Sequence, residues 1–221
     1  MIMTTKSSKI IKRATGVGVF SALAYITTLL CKLIPQVGGF LTLDAKDSVI
    51  AIASFIYGPI VAPVISFIVA FIEFVSISET GPWGLLMNFA ASAAFSTVAS
   101  VIYRFKKSLN GAIIGLFCAT LVTTVVMALL NIFVTPIYLG VPTEMVIDLL
   151  PTVLLPFNFA KTLLNGSIAL LLYKPIINAM RAARLVPRTQ HKTTFNKTTV
   201  LTLAVGGASL ICAVAILILI W

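Results

Sequence analysis

The sequence predicts an all-α integral membrane protein, and three observations carry that expectation. Of its 221 residues, 59% are hydrophobic and only 10% charged, against about 45–50% and about 25% in soluble domains. The mean hydropathy is +1.10. The apolar residues also fall into runs of about 20, the length that crosses about 30 Å of hydrocarbon as a helix. Such a chain has room for six or seven spans and none for a separate water-soluble catalytic or nucleotide-binding domain. The net charge of +10 would suggest nucleic acid in a soluble protein, but in a membrane protein it first reports orientation.

Taken in order, the apolar runs predict helices over Thr15–Ile34, Lys46–Tyr57, Pro59–Ser78, Trp83–Tyr103, Asn110–Tyr138, Pro151–Ala179 and Thr199–Trp221. Lys6, Lys9, Lys12 and Arg13 precede the first. They could open a signal peptide, but no small-residue cleavage site follows and the run is long enough to span, so a retained helix is expected. The second helix is too short to cross unless the protein shields one of its ends. Gly58-Pro59 stops it, because proline lacks an amide hydrogen and disfavours helix in the residue before it.

The charges sort by side. Thirteen of the sixteen basic residues lie before the first helix, at Arg104, Lys106 and Lys107, or around the link from the sixth to the seventh helix (Lys174, Arg181, Arg184, Arg188, Lys192 and Lys197). Alternating spans put all of these on one side, which the positive-inside rule makes cytoplasmic. Asp44, Asp47, Glu79, Glu144 and Asp148 fall on the other side, and Lys32 and Lys46 flank the first external connection. The expected arrangement is therefore a multi-pass protein of the cell membrane with a cytoplasmic N-terminus and an external Trp221. It divides into a membrane domain over residues 1–180, a basic cytoplasmic linker over 181–198, and a further span over 199–221. External connections at Pro35–Ala45 and Leu139–Leu150 are long enough to act as lids over a pocket opening outward.

Polar residues inside spans identify the candidate site. A lysine at bilayer depth costs about 2.5–3.5 kcal/mol even on lenient scales, so Lys161, about 15 Å into the sixth helix at 1.5 Å per residue, should face the bundle interior. Asn158 shares its helical face; Asn131 and Asn88 lie deep in the fifth and fourth helices. Amides offer donors and an acceptor and an ammonium adds donors, a set suited to the imide edge of a flat heterocycle. Helix-to-helix hydrogen bonding is the bland alternative for each residue alone. Glu73 could pair with Lys161, meet a ligand hydroxyl, or simply be exposed. Phe40, Phe89 and Phe157 could stack on a planar ligand or pack the core. Trp83, Tyr103, Tyr138 and Trp221 fit an interfacial belt. Ala14, Gly18 and Ala22 form a small-residue strip on the first helix, suited to close approach of another helix within the bundle or from another subunit.

No enzyme is expected. His191 is the only histidine and lies in the basic linker, which removes zinc-protease and Ser–His chemistry. The spans hold no pair of aspartates for an aspartyl protease. Cys31, Cys118 and Cys212 have neither a disulfide nor a zinc spacing. No P-loop is present. An ion-coupled secondary transporter using Glu73 and Lys161 is the rival reading, although no inverted repeat is visible.

Several segments in order resemble the substrate-binding membrane subunit, or S component, of an energy-coupling factor vitamin transporter, and most of all its riboflavin-specific branch. They are Leu43-Asp44 with Asp47, Gly58-Pro59, Gly84 with Asn88-Phe89, Asn131-Ile132-Phe133 with Pro136-Ile137-Tyr138, and Pro156-Phe157-Asn158 with Lys161 and Tyr173-Lys174. Val49 stands where that family usually has proline, and Val75-Ser76 where it often has lysine or asparagine. The resemblance implies a six-helix bundle, to which Thr199–Trp221 adds a further span. It implies that riboflavin, or another vitamin or flavin derivative, enters from outside. Its ring would lie near Asn131, Asn158 and Lys161, with Asn88, Glu73, Phe40, Phe157 and Asp44 contributing and Pro35–Ala45 as the lid. It implies no cofactor and no chemistry. A membrane coupling subunit meeting Ala14, Gly18 and Ala22, with two ATP-binding cassette ATPases, would drive transport.

Overall fold

The computed structural model describes residues 6–183, 185 and 197–220. Its helices are α1 (Lys6–Cys31), α2 (Lys46–Tyr57), α3 (Val61–Ser76), α4 (Gly81–Phe105), α5 (Leu109–Leu139), α6 (Thr143–Leu149), α7 (Leu155–Ala182) and α8 (Lys197–Ile220). A π-helical turn over Leu150–Leu154 joins α6 to α7, so Thr143–Ala182 is one continuous helix and the described residues form seven helical runs. Five of these are long and apolar enough to cross a bilayer; α2 and α3, with 12 and 16 residues, are shorter. The architecture is the expected all-helical bundle of six helices plus one.

α2 is the central helix. Every residue from Lys46 to Ser54 is buried, and α1, α3, α4 and α7 pack around it. Its Val49, Ile50, Ile52 and Ala53 join Phe20, Ile65, Val69, Phe95 and Ala169 in the main core. Helix α2 stops because Gly58 takes φ 100°, a conformation closed to residues with a Cβ, and Pro59 follows. α5 begins at Ser108, whose side chain accepts from the Gly111 amide, a standard N-cap.

Two boundaries differ from the sequence reading by more than three residues. α1 starts at Lys6, nine residues early, because lysine and arginine are good helix formers and nothing in that stretch breaks a helix. The predicted external loop Leu139–Leu150 is mostly helix. Only residues 140–142 lie outside helical structure. Pro142 is the N-cap of α6, and Glu144 lies in its first turn, where a carboxylate favours the positive end of the helix dipole. Pro151 does not break the run; the π turn absorbs it, and the Leu155 amide donates to Leu150 O. That loop is therefore too short to be a lid.

The two ends of the bundle differ in charge. Arg13, Arg104 and Lys107 gather with Tyr57, Gly58 and Pro59 around one cavity, whereas the end of α1, the loop after it and the α3–α4 turn converge on a second cavity at the other end. Of the predicted linker, Arg184, Arg188, His191 and Lys192 lie outside the described residues, as does Trp221.

Candidate functional site

The cavity at the end of α1, of about 200 Å³, is walled by α1, the loop before α2, α3, α4, α5 and α7. All eight residues singled out as ligand contacts line it: Phe40, Asp44, Glu73, Asn88, Asn131, Phe157, Asn158 and Lys161. Phe89 does not; it packs edge-on against Phe67, 5.9 Å between ring centres. Trp83 and Tyr138, read as belt residues, also line the cavity, and Phe40 lies 6.5 Å from Tyr138. Tyr103 instead joins Phe55 and Tyr173 in an aromatic cluster.

The polar wall is built on two buried ion pairs. Lys161 Nζ lies 2.8 Å from Asp44 Oδ2 and 3.3 Å from Thr42 O. Lys46 Nζ lies 2.7 and 2.8 Å from the two Glu73 oxygens and 3.7 Å from Asp44 Oδ2. Thr28 and Asn88 donate to the same Glu73 carboxylate at 3.0 Å each. Ser92 donates to Asp47. The exposures of Asp44, Lys46, Glu73 and Lys161 are 3%, 2%, 4% and 9%, so bulk water screens this network little and its geometry is fixed.

Two of these placements depart from the sequence reading. Glu73 pairs with Lys46 and not with Lys161. Lys46 follows the loop it was expected to flank, but its side chain is buried at the centre of the network. Lys32, by contrast, is a surface residue that bridges to Glu79 at 3.0 Å, and this hydrogen bond from Lys32 holds the exposed Glu79 carboxyl below its ordinary value. The sequence reading also passed over Thr28, Thr135 and Asn165. Thr135 donates to Asn131 Oδ1 at 2.8 Å. Asn165 accepts from the Ser48 amide at 2.9 Å and donates to Asp44 O at 2.8 Å, tying the start of α2 to α7. Its signal was visible: Asn165 follows Lys161 by four residues, on the same face.

Asn131 and Asn158 each spend one amide hydrogen on the carbonyl four residues back, Met127 O at 2.6 Å and Leu154 O at 2.8 Å. Asp44 Oδ1 is buried with no hydrogen-bond partner. The cavity thus combines aromatic faces with unused polar capacity, able to hold a flat molecule that both donates and accepts. Among the described residues, no group of three or more metal-ligating side chains forms a metal site.

The loop between α1 and α2 closes part of this cavity through Phe40, Leu41, Thr42 and Leu43. It reverses at Gly38 and Gly39, with φ of 61° and 80°, the left-handed region that glycine enters without steric cost. Paired hydrogen bonds between Val37 and Leu41, 2.9 and 3.0 Å, clamp the turn.

Comparison with known proteins agrees with this architecture. The family described as "ECF transporter, substrate-specific component" matches residues 12–177. The riboflavin transporter RibU of Staphylococcus aureus (strain TCH60) is 30% identical over 176 residues, covering 77% of this chain and 93% of that protein. The riboflavin transporter FmnP of Bacillus subtilis (strain 168) is 26% identical over 187 residues, covering 79% and 98%. A solved S component of a bacterial ECF transporter superposes with a TM-score of 0.65 at 30% identity, covering 77% of this chain and 98% of that one. The chain belongs to the substrate-specific components of ECF transporters, multi-pass membrane proteins of transport.

Proposed function

We propose that this chain captures riboflavin from outside the cell and delivers it inward together with a membrane coupling subunit and two ATP-binding cassette ATPases. The observation that carries the reading is the single cavity in which Asn131, Asn158, the Lys161–Asp44 pair and the aromatic rings of Phe40, Tyr138 and Phe157 meet. An isoalloxazine ring is flat, and its imide edge presents an acceptor, a donor and a second acceptor. Aromatic faces suit the first property, and an ammonium beside amides and a carboxylate suits the second. Two relatives named as riboflavin transporters add support. The charge distribution favours a cytoplasmic N-terminus, with the basic end of the bundle inward. The basic stretch over 181–198 then serves as a linker between the substrate-binding unit over 1–180 and the span over 199–221.

The test is direct. Protein purified from cells grown with flavin is expected to be yellow, and added riboflavin should lose its fluorescence on binding. A colourless preparation that leaves riboflavin fluorescence unchanged while binding another vitamin would overturn the assignment.

The strip on α1 supplies the contact with the coupling subunit. Ala14, Gly18 and Ala22 are all exposed on the bundle surface, and a side chain added at Gly18 would meet nothing within 4 Å. Internal packing is therefore not what keeps this face small. Gly18→Leu also replaces a poor helix former by a good one. The variant is expected to fold and bind riboflavin as the parent does, yet to lose about tenfold or more in ATP-driven uptake, because a bulky residue blocks close helix approach. Normal uptake by the variant would remove the strip from the interface.

A further inference from the structure

The match to the family ends at residue 177, so α8 falls outside it, and its packing is specific. Ser209 and Ser167 join α8 to α7 through a 2.7 Å hydrogen bond. A side chain at Gly206 would collide with Leu171 at 2.9 Å, so this glycine sets the close approach of the two helices. Two turns beyond Ser209, Leu217 is 7% exposed although its neighbour Leu219 is 85% exposed. Leu217 belongs to a small apolar cluster, separate from the main core, with Val37, Phe157 and Ala160. Leu41, Leu43, Ile216 and Ile220 pack against the same cluster. Val37 and Leu41 are the residues that clamp the cavity-closing turn, and Phe157 lines the cavity itself.

We infer that α8 is a brace for the loop that closes the ligand cavity, with Leu217 as the positioning residue that fixes the Val37–Leu41 turn and Phe157 in the closed arrangement. The last turns of α8 supply the apolar floor on which the Val37–Leu41 turn rests, while the Lys161 and Asn165 contacts anchor the loop at its other end, at Thr42 and Asp44. A buried apolar contact made only in the closed state lowers the population of the open state and so slows release more than capture. The inference rests on the proposed riboflavin site for its ligand-release consequence, but the bracing itself is independent of which ligand binds.

The experiment has two arms, both on the full chain in lipid nanodiscs. In the ligand-free protein, Leu217→Ala is expected to speed amide hydrogen exchange at Val37 and Leu41 about tenfold, with exchange along α2 unchanged, because removing a packed leucine side chain weakens the local rather than the global structure. In the second arm, riboflavin dissociation from Leu217→Ala is expected to accelerate about fivefold with little change in the association rate. Leu217→Met should restore both rates, and Leu219→Ala, on the exposed face, should change neither. Unchanged exchange at Val37 and Leu41, or exchange accelerated equally throughout the bundle, would overturn the brace. Faster exchange with unchanged dissociation would overturn its role in holding the ligand. If the parent protein does not bind riboflavin, the proposed function fails, and the exchange arm alone decides the brace.

Discussion

Glu73→Ala is expected to cost about 3–5 kcal/mol of folding stability, the range for breaking a buried ion pair from one side. Glu73 accepts hydrogen bonds from Lys46, Thr28 and Asn88. Alanine would leave all three donors in a site that water barely reaches, with Asp44 at 3.7 Å as the nearest remaining carboxylate for Lys46. The uncompensated ammonium, together with two donors that lose a charged acceptor, sets the size of the effect. In detergent the unfolding midpoint should fall by roughly 6–20 °C, taking 2–4 °C per kcal/mol for a chain of this size. The double variant Lys46→Met with Glu73→Leu should recover most of the loss, because exchanging a buried ion pair for apolar groups of similar volume is near neutral. A double variant as unstable as the single one would show that Thr28 and Asn88, not the ion pair, dominate.

The burial of Lys46 also marks where sequence reasoning stopped. Hydropathy treats Lys-Asp at the head of an apolar run as a helix start at the membrane surface, so Lys46 read as a residue beside the lid. The contrary signal was the length of that run: a helix of 12 residues rises about 18 Å, well short of about 30 Å of hydrocarbon. A helix that stops at Gly58-Pro59 near one face must therefore begin at depth, and whatever stands at its head must be satisfied there. The partner could not be read from α2 alone, because Glu73 is 27 residues on and pairing with Lys161, a ligand hydroxyl and exposure were equally open to it. Asn131, Asn158 and Lys161 were legible for the opposite reason. Each is a polar side chain inside a long apolar span, and burial on an inward face is the cheapest place for it. The loop Leu139–Leu150 failed as a lid because Gly140 and Pro142 were read as the start of a long excursion, whereas in the structure they complete a tight turn between two helices.

Lys161→Met should weaken riboflavin binding about 10–100-fold, the equivalent of the roughly 1.5–3 kcal/mol carried by a hydrogen bond to a charged group. The Lys161 ammonium has three hydrogens; Asp44 Oδ2 and Thr42 O take two. The third is available to a ligand carbonyl, while the unpartnered Asp44 Oδ1 is buried and can accept from a ligand N–H only once the cavity-closing loop uncovers it. The pair thus matches the donor and acceptor sequence of an imide better than either residue could alone. Its structural role must be separated from the proposed binding role, since Thr42 and Asp44 belong to the cavity-closing loop and Lys161 also ties that loop to α7. Lys161→Met with Asp44→Leu does so: removing both charges relieves the unpaired carboxylate and should return stability to near the parent value, but it supplies neither donor nor acceptor. Riboflavin titration of the stable double variant is therefore expected to remain weak by at least the factor seen for Lys161→Met. Affinity restored together with stability would mean that the pair serves the fold only, and that Asn131 and Asn158 recognise the ligand without it.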